Sequence, residues 1–210
     1  MSHPFVISDA TPLTYAGPLP AQAEVVVIGG GVIGVCTALY LAQAGQDVLL
    51  LEKGRIAGEQ SSRNWGWIRQ QGRDYAELPI AEEAIGRWKE LAAQTNVDFG
   101  LRQGGVTYLA TSAKELSGYE KWSAFAQKQG IDTRMMTAAE TAAAFPDAQR
   151  TYAGAMTTAS DMRAEPWAAV PALAAITARA GVRMMESCAV RRLDLAAGRV
   201  GGVEAGPRAS

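Results

Sequence analysis

Histidine is nearly missing from this chain of 210 residues: there is one, His3. A histidine-based metal centre or a histidine-containing catalytic triad needs more than that, so neither is expected and no metal ligands are assigned. Cysteine is scarce too. Cys36 and Cys188 lie far apart, in no C-x-x-C or zinc-type spacing, and each falls in an apolar-periodic stretch. They read as small buried hydrophobes. Charge of one sign is also lacking, with 20 Lys and Arg against 21 Asp and Glu for a net −1, and no basic block occurs. Nothing here attracts a polyanion, and no nucleic-acid partner is expected. The apolar runs are strand-sized, short of the ~18 residues a membrane span requires. Residues 1–22 carry no basic stretch followed by an apolar run. Together with the two cysteines, this fits a reducing cytoplasm, which is the expected location.

The order of elements is more informative. Residues 1–22 are rich in Pro, Thr and Ala and read as an irregular lead-in. Val25, Val26, Val27 and Ile28 then form a continuous β-branched run, the mark of a central parallel strand buried on both faces. Val35, Leu39 and Ala42 recur at helical spacing over 32–44, and Gly45 supplies the C-terminal cap. A second apolar run, 48–51, closes on Glu52. The result is a βαβ unit of about 30 residues. Between its first strand and its helix lies Gly29-Gly30-Gly31-Val32-Ile33-Gly34, which fits G-x-G-x-x-G, and Glu52 follows 18 residues beyond Gly34, close to the ~20 of a dinucleotide site. Gly29 permits the tight turn, Gly31 lets the backbone reach a pyrophosphate, and Gly34 lets helix and strand pack closely. Val32 and Ile33 open the helix, whose N-terminus favours phosphate. Glu52 can accept from ribose hydroxyls, and Lys53 is placed near the ribose or phosphate. These residues establish a dinucleotide without choosing between FAD and NAD.

Residues 54–73 show neither a strand nor a helix period. A helix is expected from Tyr75 to about Ala93, with Leu78, Ala81, Ala84, Ile85, Trp88 and Leu91 as its apolar stripe. Residues 99–111 suggest a hairpin around Gly104-Gly105, and 115–129 a second helix. Thr137 and Glu140 match a capping box for a short helix ended by Phe145-Pro146. A strand is expected over 152–157. A helix should follow Glu165-Pro166 and run to Gly181, with Asp161 and Glu165 as cap residues. A parallel strand at 182–185 and a hairpin turning at Ala197-Gly198 complete the chain.

The segment Ser61-Ser62-Arg63-Asn64-Trp65-Gly66-Trp67 resembles the second flavin-contacting stretch of the D-amino-acid oxidase-like family. That family of FAD-dependent enzymes includes glycine oxidase, sarcosine oxidase and D-amino-acid dehydrogenase. The resemblance extends over residues 23–204 and makes the expected cofactor FAD. It implies that Ser61 and Ser62 donate to phosphate oxygens, that Arg63, Asn64 and Trp65 follow the ribityl chain, and that Gly66 and Trp67 approach the flavin ring. It also implies that the backbone at Val190 lies beside the adenine. The implied fold class is α/β: a Rossmann-like FAD-binding domain, 23–74 and 159–210, with part of an α+β substrate domain, 75–158, inserted. The implied activity is oxidation of the C–N bond of an amino acid or secondary amine, with no catalytic side chain identified.

Members of that family are nearly twice as long. The resemblance therefore implies a fragment or truncated product, a chain whose missing half comes from a partner, or a short variant that binds FAD without turnover. Other enzyme readings fit less well. A disulfide-reductase-like flavoprotein would need a redox cysteine pair, a hydroxylase would carry its own motifs later in the chain, and an NAD dehydrogenase would begin its next βα unit soon after Glu52. From another class, a non-catalytic nucleotide-binding subunit remains open.

Overall fold

A computed structural model describes residues 7–207. His3 lies outside them, as do Arg208, Ala209 and Ser210. In chain order the elements are β1 (Val25–Ile28), α1 (Val32–Gln43), β2 (Val48–Leu51), β3 (Trp67–Ile68), α2 (Leu78–Ala93), β4 (Val106–Ala110) and α3 (Ala113–Lys128). Then come β5 (Thr133–Thr137), α4 (Ala138–Ala144), β6 (Gly154–Thr158), β7 (Met162–Arg163), α5 (Pro166–Arg179), β8 (Arg183–Met185), β9 (Cys188–Ala196) and β10 (Arg199–Pro207). The chain divides into two compact units. One holds the residues through Trp65, 93–100 and those from Glu165 onward; the other holds Gly66–Ala92 and Leu101–Ala164.

The first unit is built on a parallel sheet of order β1-β2-β8, with Val25 opposite Val48 and Leu51 opposite Met185. All four residues of β2 are buried, as a strand covered on both faces must be. The βαβ unit folds as the periodicity predicts, but the central place falls to β2. Among the described residues β1 pairs only with β2, and Ile28 is 56% exposed. A β-branched run specifies a strand; its place in the sheet depends on which other strands arrive. α1 buries Val35, Ala38 and Leu39, and packs against α5, which buries seven residues including Val170, Leu173 and Ile176. Gly45 adopts φ +87°, its N–H meets Ala42 O at 2.9 Å, and Gln46 N–H meets Leu41 O at 3.1 Å. This paired closure satisfies two terminal carbonyls and requires the left-handed conformation that Gly adopts without strain. β9 and β10 pair antiparallel around Ala197 and Gly198, at φ +50° and +74°. Two consecutive positive φ values make the type I′ turn whose twist suits a two-residue hairpin.

In the second unit an antiparallel sheet of order β4-β6-β5 stands beside the short pair β3-β7. α2 starts after a 3-10 turn at Tyr75–Glu77 and buries Leu78, Ile85 and Leu91. α4 begins on the expected capping box, with both halves formed between Thr137 and Glu140. Leu78, Ala126 and Ile131 form a buried cluster flanked by Trp122 and Phe125. The hairpin expected at 99–111 is absent among the described residues. Gly105 instead sits with φ +71° where a Cβ would come within 3.1 Å of Thr158 O, and β4 runs on to pair with β6. Arg102 forms an isolated bridge to Arg163. β5 is a strand that the sequence pattern did not announce, and Trp67–Ile68 adds a short strand to the supposedly irregular 54–73 stretch.

Candidate functional site

The glycine-rich turn joins β1 to α1. Gly29, at φ +108°, donates its N–H to Leu51 O at 2.8 Å and so ties the turn to the end of β2. A Cβ on Gly34 would stand 1.9 Å from Gly29 O, so helix and turn approach as only Gly permits. Gly31 is the N-cap of α1, with φ −78° and ψ 178°, and makes no side-chain cap bond; the first turn holds no acidic residue. The helix thus offers backbone N–H groups and the positive end of its dipole to an anion. Val32 N–H donates to Ser61 Oγ at 2.9 Å, and that hydroxyl keeps its own hydrogen to donate onward. Ile33 is 79% exposed.

Glu52 is buried at the end of β2. Its Oε2 accepts from Gly30 N at 2.7 Å and its Oε1 from Gly54 N at 2.6 Å. The carboxylate is therefore fixed between the glycine turn and the next loop, with further acceptor capacity on each oxygen. Beside it lies a cavity of about 140 Å³, lined also by Ser8, Asp9, Arg55 and Arg63. Lys53 and Arg63 both pair with Glu59, at 3.8 and 3.6 Å; such exposed pairs contribute little stability. A 3-10 turn at Gln60–Ser62 carries the serines. Ser62 Oγ donates to Glu59 O at 3.4 Å, and Asn64 Nδ2 donates to Gln60 O and Ser61 O, both at 3.2 Å. Trp65 is 79% exposed. Val190 lies in β9, packed on Leu49, Leu51 and Cys188.

Gly66 and Trp67 belong to the second unit. Gly66, at φ +70°, accepts from Ala164 N at 3.0 Å, and Trp67 pairs with Arg163. The Arg69 guanidinium lies 5.5 Å from the Trp67 ring centroid and 5.8 Å from that of Tyr108, within cation–π range of both. Arg69 Nη1 also donates to Gln71 O. Next to it, buried Asp161 accepts from Gln70 N at 2.7 Å and Gln71 N at 3.1 Å. Burial pushes the Asp161 carboxyl above its ordinary 3.8, although those two N–H bonds pull the other way. Asp161 is thus no helix cap, and Glu165 holds the N-cap position of α5 without a side-chain cap bond. Glu165 thus takes the expected position, but Asp161 does not: that expectation rested on local spacing, whereas the partners of Asp161 are 91 and 90 residues away in sequence.

Glu186 also escaped notice in the sequence. Buried just after β8, it accepts from Thr14 N at 2.6 Å, Tyr15 N at 3.0 Å and Ile56 N at 2.8 Å. Among the described residues, no group of three or more His, Cys, Asp or Glu could hold a metal ion. Among them, too, no helix is long and apolar enough to cross a membrane.

This geometry has counterparts. A family model described as FAD dependent oxidoreductase (DAO) matches residues 24–209. The chain belongs to that family. The family's cofactor is FAD, and a helix start with no acidic residue in its first turn, the Ser61 hydroxyl beside it and the fixed Glu52 carboxylate suit the ADP half of that molecule. Human mitochondrial sarcosine dehydrogenase is 27% identical over 198 residues, covering 89% of this chain and 21% of that protein. The mouse mitochondrial pyruvate dehydrogenase phosphatase regulatory subunit is 27% identical over 94% of this chain and 23% of its own length. The structure of L-amino acid deaminase from Proteus myxofaciens, in complex with anthranilate, superposes with a TM-score of 0.87 at 26% identity, over 96% of this chain and 47% of that one. The chain of this DAO-family protein thus spans about a fifth of the two curated relatives and about half of the solved one.

Proposed function

We propose that the chain is the FAD-holding part of an oxidoreductase acting on the C–N bond of an amino acid or secondary amine. The observation that carries this reading is the first turn of α1, uncapped at Gly31 beside the fixed carboxylate of Glu52. In this reading the N-terminal N–H groups of α1 and the Ser61 hydroxyl hold the pyrophosphate, and Glu52 takes the ribose hydroxyls. Lys53, Arg63, Asn64 and Trp65 line the path beyond, Gly66 and Trp67 meet the flavin end, and the backbone at Val190 meets the adenine. The first unit acts as the FAD-binding domain and the second as part of the substrate domain. Bound FAD would accept a hydride from the carbon bearing the nitrogen, and water would then hydrolyse the resulting imine. The chain's own task is to bind and orient the cofactor. The rest of the substrate site would come from further sequence or from a partner chain. A reducing cytoplasm suits the two unpaired cysteines.

The test is reconstitution of the purified chain with FAD, followed by anaerobic addition of D-amino acids, L-amino acids and N-methylated amines. A yellow protein whose flavin absorbance bleaches with one of these classes supports the reading. A chain that binds no flavin refutes it. A second reading, a non-catalytic FAD-binding subunit, draws on the likeness to a protein named as a regulatory subunit. Stable flavin that no amine reduces, even alongside a complementing chain, would favour it.

A further inference from the structure

The lead-in before β1 is docked onto the cofactor unit by specific bonds. Arg55 Nε donates to Thr11 O at 2.6 Å, and Arg55 Nη2 to Asp9 O at 2.9 Å. Farther along, Glu186 Oε2 takes the N–H groups of Thr14 and Tyr15, while Tyr15 O accepts from Glu186 N at 2.9 Å. Within the segment, Ser8 N donates to Thr11 Oγ1 at 3.1 Å and Thr11 N to Ser8 O at 2.8 Å, a closed local turn. An irregular stretch fixed at both ends by charged side chains is a shaped part of the fold. Hydrogen bonds to charged groups are the stronger kind.

This turn forms a wall of the Glu52 cavity. Ser8 and Asp9 line it together with Glu52, Glu59, Arg55 and Arg63. Of the two cations, Arg55 is turned onto the backbone carbonyls of Thr11, Gly54 and Asp9, and Arg63 pairs with Glu59. A Cβ built on Gly54 would come within 3.4 Å of Asp9 Oδ1 and 3.5 Å of Glu52 Oε1, so the two carboxylates lie close to Gly54 on the same loop. Two acidic acceptors suit the hydroxyls of a ribose and oppose any phosphate attached to them. We propose that residues 8–15 are a strap completing the adenosine-ribose subsite, in which Asp9 selects an unphosphorylated ribose. Arg55 and Glu186 act as positioning residues that seat the strap. This inference rests on the reading of Glu52 as the ribose-binding acid.

The test uses the full chain and the affinities of ADP-ribose, 2′-phospho-ADP-ribose and FMN, measured by calorimetry. Asp9→Asn leaves the strap docked, because Arg55 holds the backbone carbonyl of Asp9. The wild type should prefer ADP-ribose over the 2′-phosphorylated form. In Asp9→Asn that preference should shrink about ten-fold, as expected for losing one nearby charge, with FMN affinity unchanged. Glu186→Ala, which removes no group lining that cavity, should shrink it similarly by releasing the strap. A merely structural role would weaken both ADP-ribose forms alike and leave their ratio fixed, and a fixed ratio in Asp9→Asn overturns the proposal. A wild type that binds neither form would instead overturn the assignment of Glu52 itself.

Discussion

Gly34 and Gly31 lie three residues apart and should fail in different ways when given a methyl group. The Cβ of Gly34→Ala would stand 1.9 Å from Gly29 O and 3.1 Å from Gly29 C, both backbone atoms, where real contacts do not fall below 3.0 Å. Relief requires α1 to lift from the turn by about 1 Å, and α1 is the helix that buries Val35, Ala38 and Leu39. Overpacking of this kind costs about 1–3 kcal/mol. For a domain of this size, that lowers the melting temperature by roughly 3–10 °C. In Gly31→Ala the Cβ meets only Ser61 Oγ, at 2.9 Å. The backbone there has φ −78°, which any residue adopts, and a hydroxyl can rotate away. Gly31→Ala should therefore melt close to wild type while losing FAD, because its methyl occupies the path of the pyrophosphate. Thermal melts by circular dichroism with parallel flavin titrations separate the two effects. Ser61→Ala alone removes the hydroxyl without adding a methyl at Gly31, and so sets the loss that belongs to Ser61. If Gly31→Ala loses no more FAD affinity than Ser61→Ala, the displaced Ser61 caused the loss and the close-approach argument is wrong. A Gly34→Ala protein melting within about 1 °C of wild type would refute the packing argument.

Two carboxylates should give opposite pH signatures. Burial holds the native pKa of Asp161 above 3.8, so its contribution to stability is full below that value and falls as pH rises through the raised native one. Compared with Asp161→Asn, which cannot ionise, wild type should lose ground in melting temperature from about pH 4 to pH 7; a constant difference would contradict this. Hydrogen bonds from the Thr137 backbone and side chain hold Glu140 below its ordinary 4.5. Its stabilisation is therefore present above 4.5 and lost as pH falls through the lowered native value. Glu140→Gln should melt below wild type near neutrality and converge with it in acid, whereas a gap that persists in acid would contradict the capping account. Burial raises the Cys36 thiol to about 11 and the Cys188 thiol in the same direction. For Cys36 that leaves roughly one thiolate in three thousand near pH 7.5. Cys188 is buried as expected, whereas Cys36 is half-buried. Iodoacetamide should still label the native protein slowly and both cysteines promptly after unfolding, and rapid native labelling of Cys36 would contradict its raised pKa.

The features legible in the sequence were those set over short distances. The turn at 29–34, the closure at Gly45, the capping box at Thr137 and the turn at Ala197-Gly198 each follow from a few neighbouring residues, and each appears in the structure. Features fixed by distant partners were not legible. β1 reads as central, yet among the described residues it pairs with β2 alone, and β5 becomes a strand by pairing with β6. Gly104-Gly105 reads as a hairpin turn, though Gly105 is required by the close passage of Thr158.

Glu52 and Glu186 bring this contrast to a single location. Leu51 and Met185 are register partners on adjacent parallel strands, and each is followed by a buried glutamate. Both acids have both carboxyl oxygens bonded to backbone N–H groups, so neither leaves a buried acceptor unmet. Motif spacing marks Glu52, because its glycine turn is close in sequence. Nothing comparable marks Glu186, whose partners lie 130 to 172 residues away. The two acids nevertheless organise one structure. Glu52 fixes the glycine turn to the loop at Gly54, and Glu186 fixes the lead-in to the same loop at Ile56. Glu186→Ala should therefore weaken FAD binding without touching the cofactor. The loss should be at least that of removing the strap, because the loop also loses its bond at Ile56 and keeps only the Glu52 bond at Gly54. If Glu186→Ala binds FAD as tightly as wild type while melting lower, the acid at the end of β8 holds the fold alone, and the coupling between lead-in and cofactor site is refuted.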